Sequence, residues 1–220
     1  MFHFDANTVL QLGSKIIVLF LCIPIHEYAH AWAATKQGDP TPQYQGRLSL
    51  NPFAHLDILG SIMIVLVGFG WGKPVNVNPN NFKSYRKGMA VTAAAGPISN
   101  VILAFIAVIL YKIFYHLAGS AVIFWLAQIM YFIAVINLGL AVFNLLPIAP
   151  LDGQKILSYF TPPKFNRFME TYENYIYIGL ILLVITGVLD KPLALLQSGI
   201  FFILDKLTFW VDPILTAILR

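Results

Sequence analysis

His26-Glu27-Tyr28-Ala29-His30 places two imidazoles four residues apart, with a carboxylate beside the first. On a helix, positions i and i+4 lie about 40° apart around the axis, so both rings can reach one metal ion. The Glu between them is placed to take a proton from a water that the metal activates, which is the chemistry of metal-assisted peptide hydrolysis. The setting sharpens this reading. The pentapeptide lies inside an apolar run, and ionisable groups within a membrane helix are costly. The bland alternative makes the two His hydrogen-bonded core residues and pairs Glu27 with a Lys. Three ionisable groups in one and a half turns are hard to stabilise that way without a metal.

Two His make an incomplete zinc site, because catalytic zinc takes three protein ligands and keeps one position open. The candidates for the third are His55, Asp57, His116 and Asp152. Asp152 follows the Pro-punctuated stretch Asn144-Leu145-Leu146-Pro147-Ile148-Ala149-Pro150-Leu151 at a helix end. The chain can turn a carboxylate inward there, and Gly153 permits close backbone approach. Alternatively, Asp152 N-caps the helix that follows. His55-Leu56-Asp57 reads as an interfacial polar anchor ahead of a pair that orients a metal ligand. Asn144 can donate to a substrate carbonyl or a developing oxyanion, or cap its own helix before Pro147. Asn100 reads first as a helix–helix hydrogen bond, Gly96 and its neighbouring alanines as room for close packing, and Cys22 as small apolar filler.

The elements that must position these groups belong to a membrane protein. Of 220 residues, 58% are hydrophobic and only 11% charged, against about 25% charged in a soluble domain. Residues 1–220 are read as one integral membrane domain, with a catalytic core over about 9–160 and C-terminal helices over about 172–219. Residues 1–13 show neither the basic start nor the cleavage site of a secretory signal, so the apolar run after them is expected to be a retained helix. The net charge is +4, with Lys and Arg mostly in short connections. That pattern fits membrane loops and not a nucleic-acid surface. The single Cys excludes an intrachain disulfide.

A first helix is expected over 9–35, kinked or opened by Pro24 one turn from the motif. Residues 44–50 alternate enough to predict a short strand, and 73–79 reads as an extended edge strand. The apolar run 58–71 is too short for a full crossing. Membrane helices are expected over 89–117, 121–146 and 175–189, with a further one over 193–219 that Asp205, Lys206 and Asp212 mark as partly interfacial. The expected fold is therefore an all-α polytopic membrane protein. It has five to six transmembrane helices and a short re-entrant, strand-bearing insertion between the first and second full spans. The basic clusters at 83–87 and 155–167 should both be cytoplasmic. If Asp152 is to meet His26 and His30, the chain from 36 to 88 begins and ends on that side, and 58–71 must be re-entrant or lie on the surface.

An intramembrane HExxH, the later Gly96-Pro97-x-x-Asn100, and Asn144-x-x-Pro147-x-x-Pro150-Leu151-Asp152-Gly153 together resemble the site-2 protease family of intramembrane zinc metallopeptidases. Asn51-Pro52-x-x-His55-x-Asp57 and Gly72-Lys73-Pro74-Val75 look like its compact prokaryotic branch. The resemblance covers roughly 16–160. It implies one Zn2+ per chain held by His26, His30 and Asp152, Glu27 as catalytic base, and Asn144 positioning the substrate. The family's commoner Asp-Gly-Gly ending is Asp152-Gly153-Gln154 here, which leaves the ligand intact.

The implied activity is cleavage of transmembrane proteins in the cell membrane, at a site within the bilayer nearer the cytoplasmic face. The implied partners are such substrates and lipid, with no nucleic acid; self-association is left open. A membrane helix hides its carbonyls, so a substrate must unwind, and an extended substrate strand would pair with an edge such as 73–77. The rival reading is a catalytically silent zinc-binding membrane protein that holds partner helices, for which Glu27 would be superfluous. Metal transport would require polar residues across 89–146, which offers almost none.

Overall fold

Long apolar runs set the architecture of the computed structural model, which describes residues 13–67 and 70–219. The expectations for residues 1–12 lie outside the described residues. In chain order the helices are α1 (Gly13–Lys36), α2 (Ile58–Val67), α3 (Tyr85–His116), α4 (Ala121–Asn144), α5 (Asp152–Phe160), α6 (Pro163–Thr171), α7 (Glu173–Ile185), α8 (Asp190–Leu207) and α9 (Val211–Ile218). α1, α3 and α4 are each long and apolar enough to cross a membrane. α6 and α7 meet at 70°, and α8 and α9 at 46°. The described residues therefore hold three spans, or up to five if each bent pair is one, against the five to six expected. α7 alone has 13 residues, about 20 Å of helix against a hydrocarbon core of about 30 Å. It stops because Gly187 takes φ +69°, the left-handed conformation that ends helices.

Pro24 opens the first helix, as its chemistry requires. Val18–Cys22 is π-helical, and the Ile23 N–H reaches back to the Val18 carbonyl. Proline has no N–H, and its ring would strike the carbonyl four residues back; the wider turn relieves that crowding.

α3 and α4 form the central hairpin. Ala104, Ala107 and Val108 face Ile133, Ala134 and Leu138, with Leu204 of α8 closing the cluster. The alanines let the two backbones approach closely, which is how helices gain packing energy in lipid. Asn137, fully buried on α4, donates to the Ile133 carbonyl at 2.8 Å and to Cys22 Sγ at 3.3 Å, so Cys22 is also a hydrogen-bond partner. Near the far end of α3, buried Lys112 meets Asp205 and Asp212, each at 2.9 Å. The acidic residues that read as interfacial in sequence are thus the counter-charges of a lysine that burial would otherwise make costly.

The two ends of the insertion lie side by side, and among its described residues there is no strand. α2 starts behind Asp57, whose carboxylate accepts the Gly60 N–H at 2.8 Å. The chain comes back beside its own entry: Lys73 N–H donates to the His55 carbonyl at 2.7 Å, and Leu56 and Gly72 form an isolated antiparallel bridge. Gly60 and Gly70 make the close return feasible, since a Cβ at Gly60 would collide with the Trp71 carbonyl and one at Gly70 with the Gly60 carbonyl. Lys15 Nζ bonds the Val65 carbonyl at 2.5 Å and so caps the distal end of α2.

The two expected strands are corrected. Thr41–Tyr44 is a helical turn, and Gly46 at φ +68° breaks the alternation that predicted a strand over 44–50. Arg47 turns inward and donates to the carbonyls of Ala54 and Lys73. Residues 73–77 are extended but have no neighbouring strand among the described residues.

Topology reporters fused at residues 50 and 80 are expected to report the same face of the membrane. Opposite faces would overturn the re-entrant path.

Candidate metal centre

The HExxH residues lie on α1 beyond the π turn, and helical spacing brings His26 Nε2 and His30 Nε2 to 3.0 Å. Asp152 Oδ2 completes a triangle, 3.3 Å from His26 Nε2 and 3.2 Å from His30 Nε2. All three residues are buried, and among the described residues they are the only group of three such ligands that could hold a metal ion. The donor set fits zinc. Tetrahedral coordination at about 2.0–2.1 Å spaces ligand atoms about 3.3 Å apart, close to these three edges.

Asp152 opens α5, yet it caps nothing. The N-cap is Leu151, with no side-chain bond to the helix end, so the capping alternative falls away. Gly153 lets α5 start here, since a Cβ at that position would strike the carbonyls of Leu145 and Leu146.

α3 holds the imidazoles from behind. His30 Nδ1 lies 2.8 Å from the Thr92 carbonyl, which can only accept, so Nδ1 carries the proton and Nε2 presents its lone pair to the triangle. His26 Nδ1 lies 3.1 Å from Asn100 Nδ2, while Asn100 Oδ1 is buried without a partner. An imidazole that coordinates through Nε2 is protonated on Nδ1. Turning the Asn100 amide by 180° then satisfies both groups at once. Gly96 lies flat against both rings, and a Cβ there would collide with His30 and His26. Arg86, in the first turn of α3, donates to the carbonyls of Ser158, Tyr159 and Thr161 and so ties down the far end of α5.

Glu27 stands outside the triangle. Its Oε2 accepts the Val75 N–H at 3.2 Å. Glu27, the three donors, residues 74–77 and Asn144 all line one cavity of about 1240 Å³, closed on another side by Tyr177, Leu180 and Val184 of α7. Asn144 donates one N–H to the Leu140 carbonyl at 2.9 Å.

The other candidates lie elsewhere. His55 is fully buried, with Nε2 2.6 Å from the Ser49 carbonyl, and Asp57 serves the start of α2. His116 sits beside Lys112 and Asp212 at the far end of α3. The sequence reading of Asn100 as a helix–helix hydrogen bond did not name His26 as its partner, and Arg86 was read only as one of a basic cluster. Thr92 acts through its backbone and carried no signal at all.

The sequence model of peptidase family M50 matches residues 14–186. The chain is 39% identical over 204 residues to "Putative zinc metalloprotease YwhC" of Bacillus subtilis, covering 91% of this chain and 93% of that protein. It is 28% identical over 198 residues to "Putative zinc metalloprotease Rip2" of Mycolicibacterium smegmatis, covering 84% of this chain and 74% of the relative. A 90-residue stretch is 39% identical to "Putative zinc metalloprotease MJ0611" of Methanocaldococcus jannaschii, 41% of each chain. No solved structure matches.

Two substitutions on α3 test the centre without touching a ligand. Gly96→Ala is expected to abolish stoichiometric zinc binding. Asn100→Ala is expected to weaken zinc by about 10- to 100-fold in chelator competition. Unchanged affinity in both variants would show that α3 does not hold the imidazoles.

Proposed function

Because the chain belongs to peptidase family M50, the site-2 proteases, we propose that it hydrolyses peptide bonds of transmembrane substrate proteins at a single zinc ion within the bilayer. Membership makes it a multi-pass zinc metallopeptidase by family. The observation that carries the finer reading is the convergence of His26, His30 and Asp152, from two distant parts of the chain, on one point in the wall of a cavity that also holds Glu27.

In this reading His26, His30 and Asp152 are the zinc ligands. Bound zinc supplies Lewis acidity, polarising a scissile carbonyl and acidifying a water. Glu27 accepts a proton from the attacking water and returns it to the leaving amine. The contact with Val75 N–H aims its carboxylate into the cavity. Asn144 has a second amide N–H beyond the one bonded to Leu140, and that group is assigned to the substrate carbonyl or the oxyanion that forms from it. Residues 73–77 receive the unwound substrate as an added strand. The bilayer side is assigned from charge: Lys83, Arg86 and Lys87 lie at the start of α3 and Lys155, Lys164 and Arg167 on α5 and α6, which follow the Asp152 end of the hairpin, so this end is assigned as cytoplasmic. The core and the C-terminal helices are taken as one unit, since residues from both line the cavity.

Membranes from cells carrying wild type and Glu27→Gln are compared by proteomics. The expected result is a single-span protein cut only by the wild type. In purified protein, Glu27→Gln should lower turnover of that substrate by about 10²–10⁴-fold with zinc retained. Asp152→Ala should lose zinc. Full turnover by Glu27→Gln would remove Glu27 as base, and identical proteomes would favour a zinc-dependent binder that does not cut.

A further inference from the structure

Asp39 lies three residues past the end of α1 and is fully excluded from solvent. A carboxylate so placed is costly unless its oxygens are hydrogen-bonded, and Asp39 has four donors. Oδ1 accepts the Thr41 N–H at 3.1 Å, the Thr41 hydroxyl at 2.6 Å and the Asn81 amide at 2.7 Å. Oδ2 accepts the Asn78 N–H at 2.7 Å. Burial works against its charge, but these bonds outweigh it and hold the carboxyl below its ordinary value. The two Thr41 bonds are local. The other two come from the far side of the re-entrant insertion. Gly38, at φ +106°, turns the chain so that its Cα sits against the Asn81 carbonyl, 3.3 Å from where a Cβ would be.

The extended segment is therefore tied at both ends. At one end Lys73 N–H is bonded to His55 and the Lys73 carbonyl to Arg47. At the other, Asn78 N–H is bonded to Asp39. Between them, among the described residues, Val75 N–H is bonded to Glu27 and the Asn76 side-chain amide to Gln45 at 3.2 Å. Among the described residues, the N–H groups of Asn76 and Val77 and the carbonyls of 74–77 carry no hydrogen bond, and this stretch lines the cavity. Asp39 sits at the end of the helix that carries Glu27. Whatever it fixes is fixed relative to the catalytic helix itself.

We propose that Asp39 is a positioning residue: by holding Asn78 it sets where the open backbone of residues 75–77 stands relative to Glu27, and so sets how well a substrate strand docks. The inference rests on the reading that residues 73–77 receive a substrate strand. Asp39→Asn is the informative change. It keeps the size but replaces one acceptor oxygen by an NH2 group, which then faces a donor at Asn78 or at Thr41 and Asn81.

Two measurements on the zinc-loaded, lipid-embedded protein test it. Hydrogen exchange at the Val75 and Asn78 amides should rise about tenfold or more in Asp39→Asn, because a charge-assisted anchor is lost. With the single-span substrate found by the proteomic comparison, KM should rise by about fivefold or more, with kcat within about twofold and zinc content unchanged. An unchanged KM with zinc retained overturns the proposal. If Asp39→Asn fails to hold zinc, Asn81→Ala is read in its place. A raised KM with zinc retained supports the anchor; an unchanged KM or lost zinc refutes it. Identical proteomes remove the protease reading and this proposal with it. Faster exchange with an unchanged KM removes the proposal alone.

Discussion

Three donor atoms from two distant parts of the chain stand within 3.3 Å of one another in buried surroundings, and the rest of the molecule is arranged around that demand. Imidazoles and a carboxylate crowded out of water repel or mispair unless each remaining polar atom is accounted for. α3 does most of this accounting. One face of it offers the Thr92 carbonyl to His30, the Asn100 amide to His26, and the missing side chain of Gly96 to both rings. Its first turn, through Arg86, clamps the helix that begins with Asp152. A histidine that is to hold a metal needs its second nitrogen tied off, and for His26 and His30 both ties come from one helix.

The same rule, that polar groups away from water must find partners, explains the parts outside the centre. Lys112 is buried because Asp205 and Asp212 meet it, and this pairing docks the C-terminal helices on α3. Arg47 is buried because carbonyls on both limbs of the insertion accept from it. Asp39 is buried because four donors converge on it. Against this background the backbone of residues 74–77 stands out, engaged among the described residues only through Val75 N–H. It is an exposed sheet edge without a sheet, and an unpaired edge beside a cavity is a template for another strand.

Much of this was legible in the residues. The HExxH spacing fixes the geometry of two imidazoles locally, because a helix leaves them no other relative placement. Membrane class followed from composition, since so few charges cannot solvate a surface of this size. Pro24 announced an opened turn through its missing N–H. The misreadings share one cause. An alternating pattern over 44–50 looked like a strand, but strands exist only by pairing, and Gly46 and an inward Arg47 leave that stretch no partner. The expected five to six spans meet the three to five candidates among the described residues only at five, because a left-handed Gly187 and the bend between α8 and α9 interrupt runs that are continuous in hydropathy.

The sequence by itself determined that two imidazoles and a carboxylate share a helix face in an apolar run, and that Asp152 follows a broken helix end. Whether Asp152 capped its own helix or met the imidazoles was a matter only the tertiary structure decided, since both uses are open to an Asp at a helix start. So too were the parts played by Thr92, Asn100, Arg86 and Asp39. Local spacing constrains groups a few bonds apart; partners some 40 to 120 positions away meet only when helices pack, and packing depends on the whole set of small residues and buried charges at once.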